Sequence, residues 1–115
     1  MVKILTLKKN NDFKKVLSKN KIHTNFFSLY YAKNKISNIR SNVVNVSFVM
    51  QKKTGNAVVR NRIKRKLRAI VLKLANKTNI IKKNYTYILF GKTGAYKATS
   101  DKIYKELENK LLKIV

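Results

Sequence analysis

Nine residues near the middle of the chain, Arg60-Asn61-Arg62-Ile63-Lys64-Arg65-Lys66-Leu67-Arg68, hold the densest chemistry in the sequence. Six of the nine are cationic, and four of the five arginines in the protein fall here; the other 23 basic residues are lysines. With 14 asparagines and abundant isoleucine, the composition drifts toward Lys, Asn and Ile, yet arginine persists in this one segment. Guanidinium is planar, always charged and able to hold two phosphate oxygens at once, which lysine cannot do. Like charges at this spacing repel along a helix. No Asp or Glu occurs between Asp12 and Asp101, so the neutralising partner is external. The segment reads as a grip on a polyanion. Just before it, Gly55-Asn56 reads as a turn and helix cap, where backbone amides can approach a phosphate.

Other candidate chemistry falls away. Gly91-Lys92-Thr93 matches the end of a phosphate-binding loop, but that motif needs a glycine where Thr86 stands. His23 is the only histidine, cysteine is absent, and the acids Asp12, Asp101, Glu106 and Glu108 are scattered. This set offers no triad, metal site, thiolate or disulfide. Asp101, Glu106 and Glu108 lie on an amphipathic segment, where pairing with Lys102, Lys105 and Lys110 is expected. No catalytic residue and no protein-held cofactor is expected.

Composition sets the frame. A chain of 115 residues, 44% hydrophobic with 11 aromatics, is expected to form one domain spanning 1–115 and to bury one core. A net charge of +24 and a pI near 10.6 repel the compact state and favour a nucleic-acid partner. No apolar run is long enough to span a membrane, and the N-terminal stretch lacks a signal-peptide core. A cytoplasmic protein is expected.

The elements that must position the cationic segment follow from periodicity. Asn10, Asn11 and Asp12 are helix-cap types, and Phe13, Val16 and Leu17 predict a short helix over about 11–19. Residues 26–32 predict a strand, with Phe27, Leu29 and Tyr31 on one face and Phe26, Ser28 and Tyr30 on the other. Residues 33–42 read as a polar loop, and 43–50 as a second strand. A helix over about 57–75 places Val59, Ile63, Leu67, Ile70 and Leu74 on one core stripe, with the cations around the remainder. A polar loop (76–84), a strand (85–90) and a helix capped by Thr99 or Ser100 close the chain. Strand, helix and strand across 43–90 form a βαβ unit. The expected fold is α+β: a small three- to four-stranded sheet with helices packed on it. Phe13, Leu17, Phe26 and Tyr30 are either core or, since strand 26–32 is apolar on both faces, a platform on which unpaired bases stack.

The run from Lys52 to Arg68, Lys-Lys-Thr-Gly-Asn-Ala-Val-Val-Arg-Asn-Arg-Ile-Lys-Arg-Lys-Leu-Arg, resembles the signature of the bacterial ribonuclease P protein component. Leu7 to Val16 is similar to that family's opening segment. The resemblance covers nearly the whole chain. It implies a basic subunit of an endoribonuclease, with two RNA partners: ribonuclease P RNA and precursor tRNA. The RNA and its Mg²⁺ would perform the cut that removes the 5′ leader. It implies RNA contacts from Lys52, Lys53, Asn56, Arg60, Asn61, Arg62, Lys64, Arg65, Lys66 and Arg68. It implies a leader cleft lined by Lys9, Phe13, Leu17 and Tyr30, and a left-handed βαβ crossover. No membrane or protein partner is implied. Leu17 departs from the family's aromatic residue, and Phe90-Gly91 from its basic strand end. The alternative is a basic ribosomal protein or general RNA chaperone.

Overall fold

Helix 57–75 can bury its aliphatic stripe only against an apolar sheet face, and the alternation at 43–50 and 85–90 supplies one. The computed structural model describes residues 3–5, 10–33, 43–78, 80–82 and 85–114. Its elements in chain order are β1 (Lys3–Leu5), α1 (Asn10–Leu17), β2 (Asn20–His23), β3 (Phe27–Lys33), β4 (Val43–Val49), a 3-10 turn (Lys52–Thr54), α2 (Ala57–Lys77), β5 (Tyr85–Gly91), α3 (Gly94–Lys97) and α4 (Ser100–Leu112). They build one sheet in the order β1-β4-β5-β3-β2. β4 and β5 are parallel neighbours joined by α2, which is the expected βαβ unit. β1 adds in parallel to β4, while β3 runs antiparallel to both β5 and β2.

The sheet has five strands, not the expected three or four. Both unexpected strands are edges. β1 is only three residues long, and β2 (Asn-Lys-Ile-His) has one aliphatic side chain, so neither shows a readable alternation. Backbone pairing supplies what pattern does not. The β2–β3 hairpin turns on Thr24, whose Oγ1 accepts from the Phe26 and Phe27 amides (3.2 and 3.1 Å) while its own amide donates to the Phe27 carbonyl (2.8 Å). Of the loop expected over 33–42, Lys33 belongs to β3 and the rest lies outside the described residues.

The two sheet faces have different chemistry. One carries Phe27, Leu29, Val44, Val46, Phe48, Tyr87 and Leu89, and α2 and α4 cover it with Ile63, Leu67, Ile70, Leu74, Ile103, Leu107 and Leu111. Tyr87 is buried here. Burial pushes its phenol up to about 12, although its oxygen accepts a hydrogen bond from the Lys82 amide (3.1 Å). The opposite face presents Ser28, Tyr30, Ser47, Thr86, Ile88 and Phe90, by alternation along the same strands. Helix α1 packs on β3, β5 and β2, where its Val16 is buried outside the main core. It covers only part of this face.

Gly91 fixes how closely β5 approaches α2. A Cβ there would lie 2.6 Å from Ile63 Cγ2 and 2.5 Å from Met50 Sδ. The thioether can swing away, but the isoleucine, buried in the α2 stripe, cannot. Gly91→Ala is therefore expected to destabilise the fold by about 1–3 kcal/mol through overpacking. Thermal unfolding of the two proteins checks this, and an unchanged melting temperature would show that β5 has slack against α2.

Candidate nucleic-acid interface

Helix α2 starts at a built stop. Gly55 has φ 153° and ψ −173°, a conformation nearly reserved for glycine, and a Cβ there would stand 2.9 Å from Val59 Cγ1. Asn56 follows as the N-cap, its Oδ1 accepting from the Val59 amide at 3.0 Å. The helix then runs without a Gly or Pro. Ile63, Leu67, Ile70 and Leu74 of the expected stripe are buried, joined by Val71, whereas Val59 is half-buried.

The cations divide by position around this axis. Asn61, Arg62, Lys64, Arg65 and Arg68 are exposed, as are Lys52 and Lys53 in the turn before the helix. Asn56 is exposed too, but its oxygen is committed to the cap. Arg60 is half-buried at the margin of the stripe, and its Nε is buried without a hydrogen-bond partner. Substituting it removes packing as well as charge. Lys66 corrects the expectation that it belongs to the outward face. Its Nζ donates to the carbonyls of Ala95 (3.0 Å), Tyr96 (3.1 Å) and Ala98 (2.7 Å), so its donors point at α3 and its C-terminal end. Burial, and secondarily the nearby Arg62 charge, lower its pKa.

On the part of this face that α1 leaves open lies a cleft of about 810 Å³. Its floor is aromatic. Tyr30 meets Phe90 edge-on at 5.4 Å and His23 at 6.2 Å, and His23 Nδ1 shares a hydrogen bond with Ser28 Oγ at 2.6 Å. Its walls are cationic, lined by Lys19, Lys21, Lys53 and Lys92, and Leu17 of α1, 38% exposed, also lines it. Lys92 Nζ is partly used, donating to the Thr24 carbonyl at 2.7 Å. Lys53 belongs to both regions, since the turn that carries it runs through Gly55 into α2. Cleft and helix thus form one continuous basic surface.

The structure brings Leu17 and Tyr30 together in this cleft. Lys9 and the side chain of Phe13 lie outside the described residues. Sequence reasoning missed His23, Phe90 and the cleft lysines Lys19, Lys21 and Lys92 as site residues. Those at 19–23 belong to the polar edge hairpin, for which Thr24-Asn25 was the available turn signal. Phe90 was legible only as one position of an alternating strand. Among the described residues, no group of three His, Asp or Glu is placed to hold a metal ion, and no helix is long and apolar enough to cross a membrane.

An aromatic-floored cationic cleft joined to an arginine-rich helix defines a surface suited to nucleic acid. Comparison with known proteins agrees. The profile of the Ribonuclease P family matches residues 1–115. The Fusobacterium nucleatum ribonuclease P protein component is 34% identical over 110 residues, covering 95% of this chain and 92% of that one. Its Macrococcus caseolyticus counterpart is 36% identical, covering 95% and 89%. The Staphylococcus aureus RNase P protein structure superposes with a TM-score of 0.70 at 28% identity, over 95% of both chains. The Thermotoga maritima RNase P protein shares the fold, with a TM-score of 0.75 at 19% identity over 96% and 98%. The chain belongs to the ribonuclease P protein family.

The exposed cations of α2 can be tested without disturbing the core. Lys64→Ala, Arg65→Ala and Arg68→Ala together are expected to weaken RNA binding and flatten its salt dependence. Each lost phosphate contact should remove about one unit of log–log slope. Titrations at several salt concentrations measure that slope, and retention of the parent value would place the RNA on another surface.

Proposed function

We propose that this chain acts as the protein subunit of ribonuclease P, promoting endonucleolytic removal of the 5′ leader from precursor tRNA. The outward cations of α2, with Lys52 and Lys53, bind the catalytic RNA. The cleft floored by Tyr30 and Phe90 receives the unpaired leader. The observation that carries this reading is the continuity of cleft and helix: Lys53 lines the cleft, and its turn runs through Gly55 into α2. In this reading, one connected surface holds leader and catalyst in register. Hydrolysis belongs to the RNA subunit and its Mg²⁺. This chain contributes charge neutralisation, stacking and alignment, which reduce the entropy lost when substrate and catalyst meet. It acts in the cytoplasm and needs no protein partner for these contacts.

Two outcomes are expected in a precursor-tRNA cleavage assay with the RNA subunit alone, the protein alone and both. Rigorously RNA-free protein leaves precursor tRNA intact, and the protein lowers the salt and Mg²⁺ that the RNA requires. Cleavage by the protein alone would overturn the assignment of the chemistry.

Tyr30→Ala provides the second test. Stacking on one unpaired base contributes about 1–3 kcal/mol, roughly five- to a hundred-fold in affinity, and only a substrate with a leader can lose it. The assembled holoenzyme should therefore lose affinity for precursor tRNA while retaining it for mature tRNA. A fall in melting temperature with an unchanged precursor-to-mature ratio would instead assign Tyr30 to the packing of Phe90.

A further inference from the structure

One side chain of α2 is spent entirely inside the protein. Lys66 has three N–H donors, and the carbonyls of Ala95, Tyr96 and Ala98 accept them. These carbonyls belong to α3 and the residue after it. Helix α3 is only four residues long, too short to persist on its own, and the carbonyls at a helix end lack intrahelical partners. The ammonium satisfies them and suits the negative end of the turn. It therefore holds the α3 turn against α2.

Tyr96 sits in that turn, and its ring lies beneath the guanidinium of Arg62, with Cζ 5.3 Å from the ring centroid. Arg62 and Lys66 are four residues apart on one helix, so the two cations are held close against their mutual repulsion. A cation–π contact attracts the guanidinium through its charge and not through its hydrogen-bond donors. Its five N–H donors lie in the guanidinium's own plane, and the contact with the ring consumes none of them, which leaves the fork geometry that phosphate oxygens accept. A ring that fixes the arginine also removes the rotamer freedom that it would otherwise lose on binding.

We infer that Lys66 and Tyr96 are positioning residues for RNA binding: the carbonyl clamp fixes the Tyr96 ring, and the ring holds Arg62 ready for a backbone phosphate. This deepens the functional reading above and rests on it. Arg62 is the RNA contact, and the other two act through it.

A double-mutant cycle on full-length protein, titrated against a bacterial ribonuclease P RNA, tests this. Arg62→Ala should weaken binding about ten-fold, as expected for one charged hydrogen-bonded contact. Lys66→Met and Tyr96→Leu should each weaken it about two- to ten-fold, the effect of one unimmobilised side chain. Neither should weaken it further once Arg62 is alanine. Tyr96→Phe retains the ring and should bind like the parent. Tyr96→Leu leaves the clamp's carbonyls in place, so it remains informative if Lys66→Met folds poorly. Losses of full size in the Arg62→Ala background would overturn the inference, as would parental binding by Tyr96→Leu. Parent protein that does not bind the RNA would overturn the functional reading itself.

Discussion

A chain with a formal charge of +24 has to fold against its own field, and one helix concentrates the conflict. On α2 the pairs Arg60–Lys64, Lys64–Arg68, Arg62–Arg65 and Arg65–Arg68 repel at helical neighbour spacing, together on the order of 1–2 kcal/mol. The inner stripe opposes them. Ile63, Leu67 and Leu74 are fully buried, and each such side chain contributes about 1.5–3 kcal/mol. The stripe wins, but only if the helix is seated. Everything else follows from that seating: a parallel β4–β5 pair to receive it, a glycine at 91 to let it approach, and α4 to close its far side.

Because the core uses one face of the sheet, the short α1 is the helix that packs on the other among the described residues. Small polar residues at Ser28, Ser47 and Thr86 line that face, and Val16 of α1 and Ile88 of β5 are both buried outside the main core. The aromatic floor beyond the end of α1 is therefore a consequence of partial coverage. A longer α1 would bury it. The turn at Lys52–Thr54 links this floor to α2, so the two basic regions are joined by one short connection.

Legibility followed periodicity. Helix α2 was readable because its stripe repeats over many turns and Asn56 caps it; α4 was readable from Thr99, whose Oγ1 accepts from the Lys102 amide at 3.3 Å. Strands β4 and β5 were readable as runs of β-branched and aromatic residues, and Leu17 and Tyr30, which the family resemblance singled out, both line the cleft. Strands β1 and β2 and the single turn α3 were not readable, since each is held by backbone hydrogen bonds or by a remote side chain. Lys66 shows the limit most directly. Within its own helix it is one more cation, and only the carbonyls some thirty residues later give it a different task. The cleft lysines were hidden for the same reason: Lys19, Lys21 and Lys92 converge only through strand pairing.

Helix α4 is electrically neutral. Asp101, Glu106 and Glu108 offset Lys102, Lys105 and Lys110, and the Glu106–Lys110 pair approaches to 3.9 Å. It packs beside α2 on the sheet face opposite the cleft, so three of the chain's four acids lie away from the cleft. The field is therefore lopsided, and near a polyanion it exerts a torque as well as a pull. Within a screening distance of about 8 Å at physiological ionic strength, the molecule is turned with its cationic surfaces foremost and α4 trailing before any contact forms. Fewer collisions are wasted on the wrong side, which raises the association rate without strengthening the final grip.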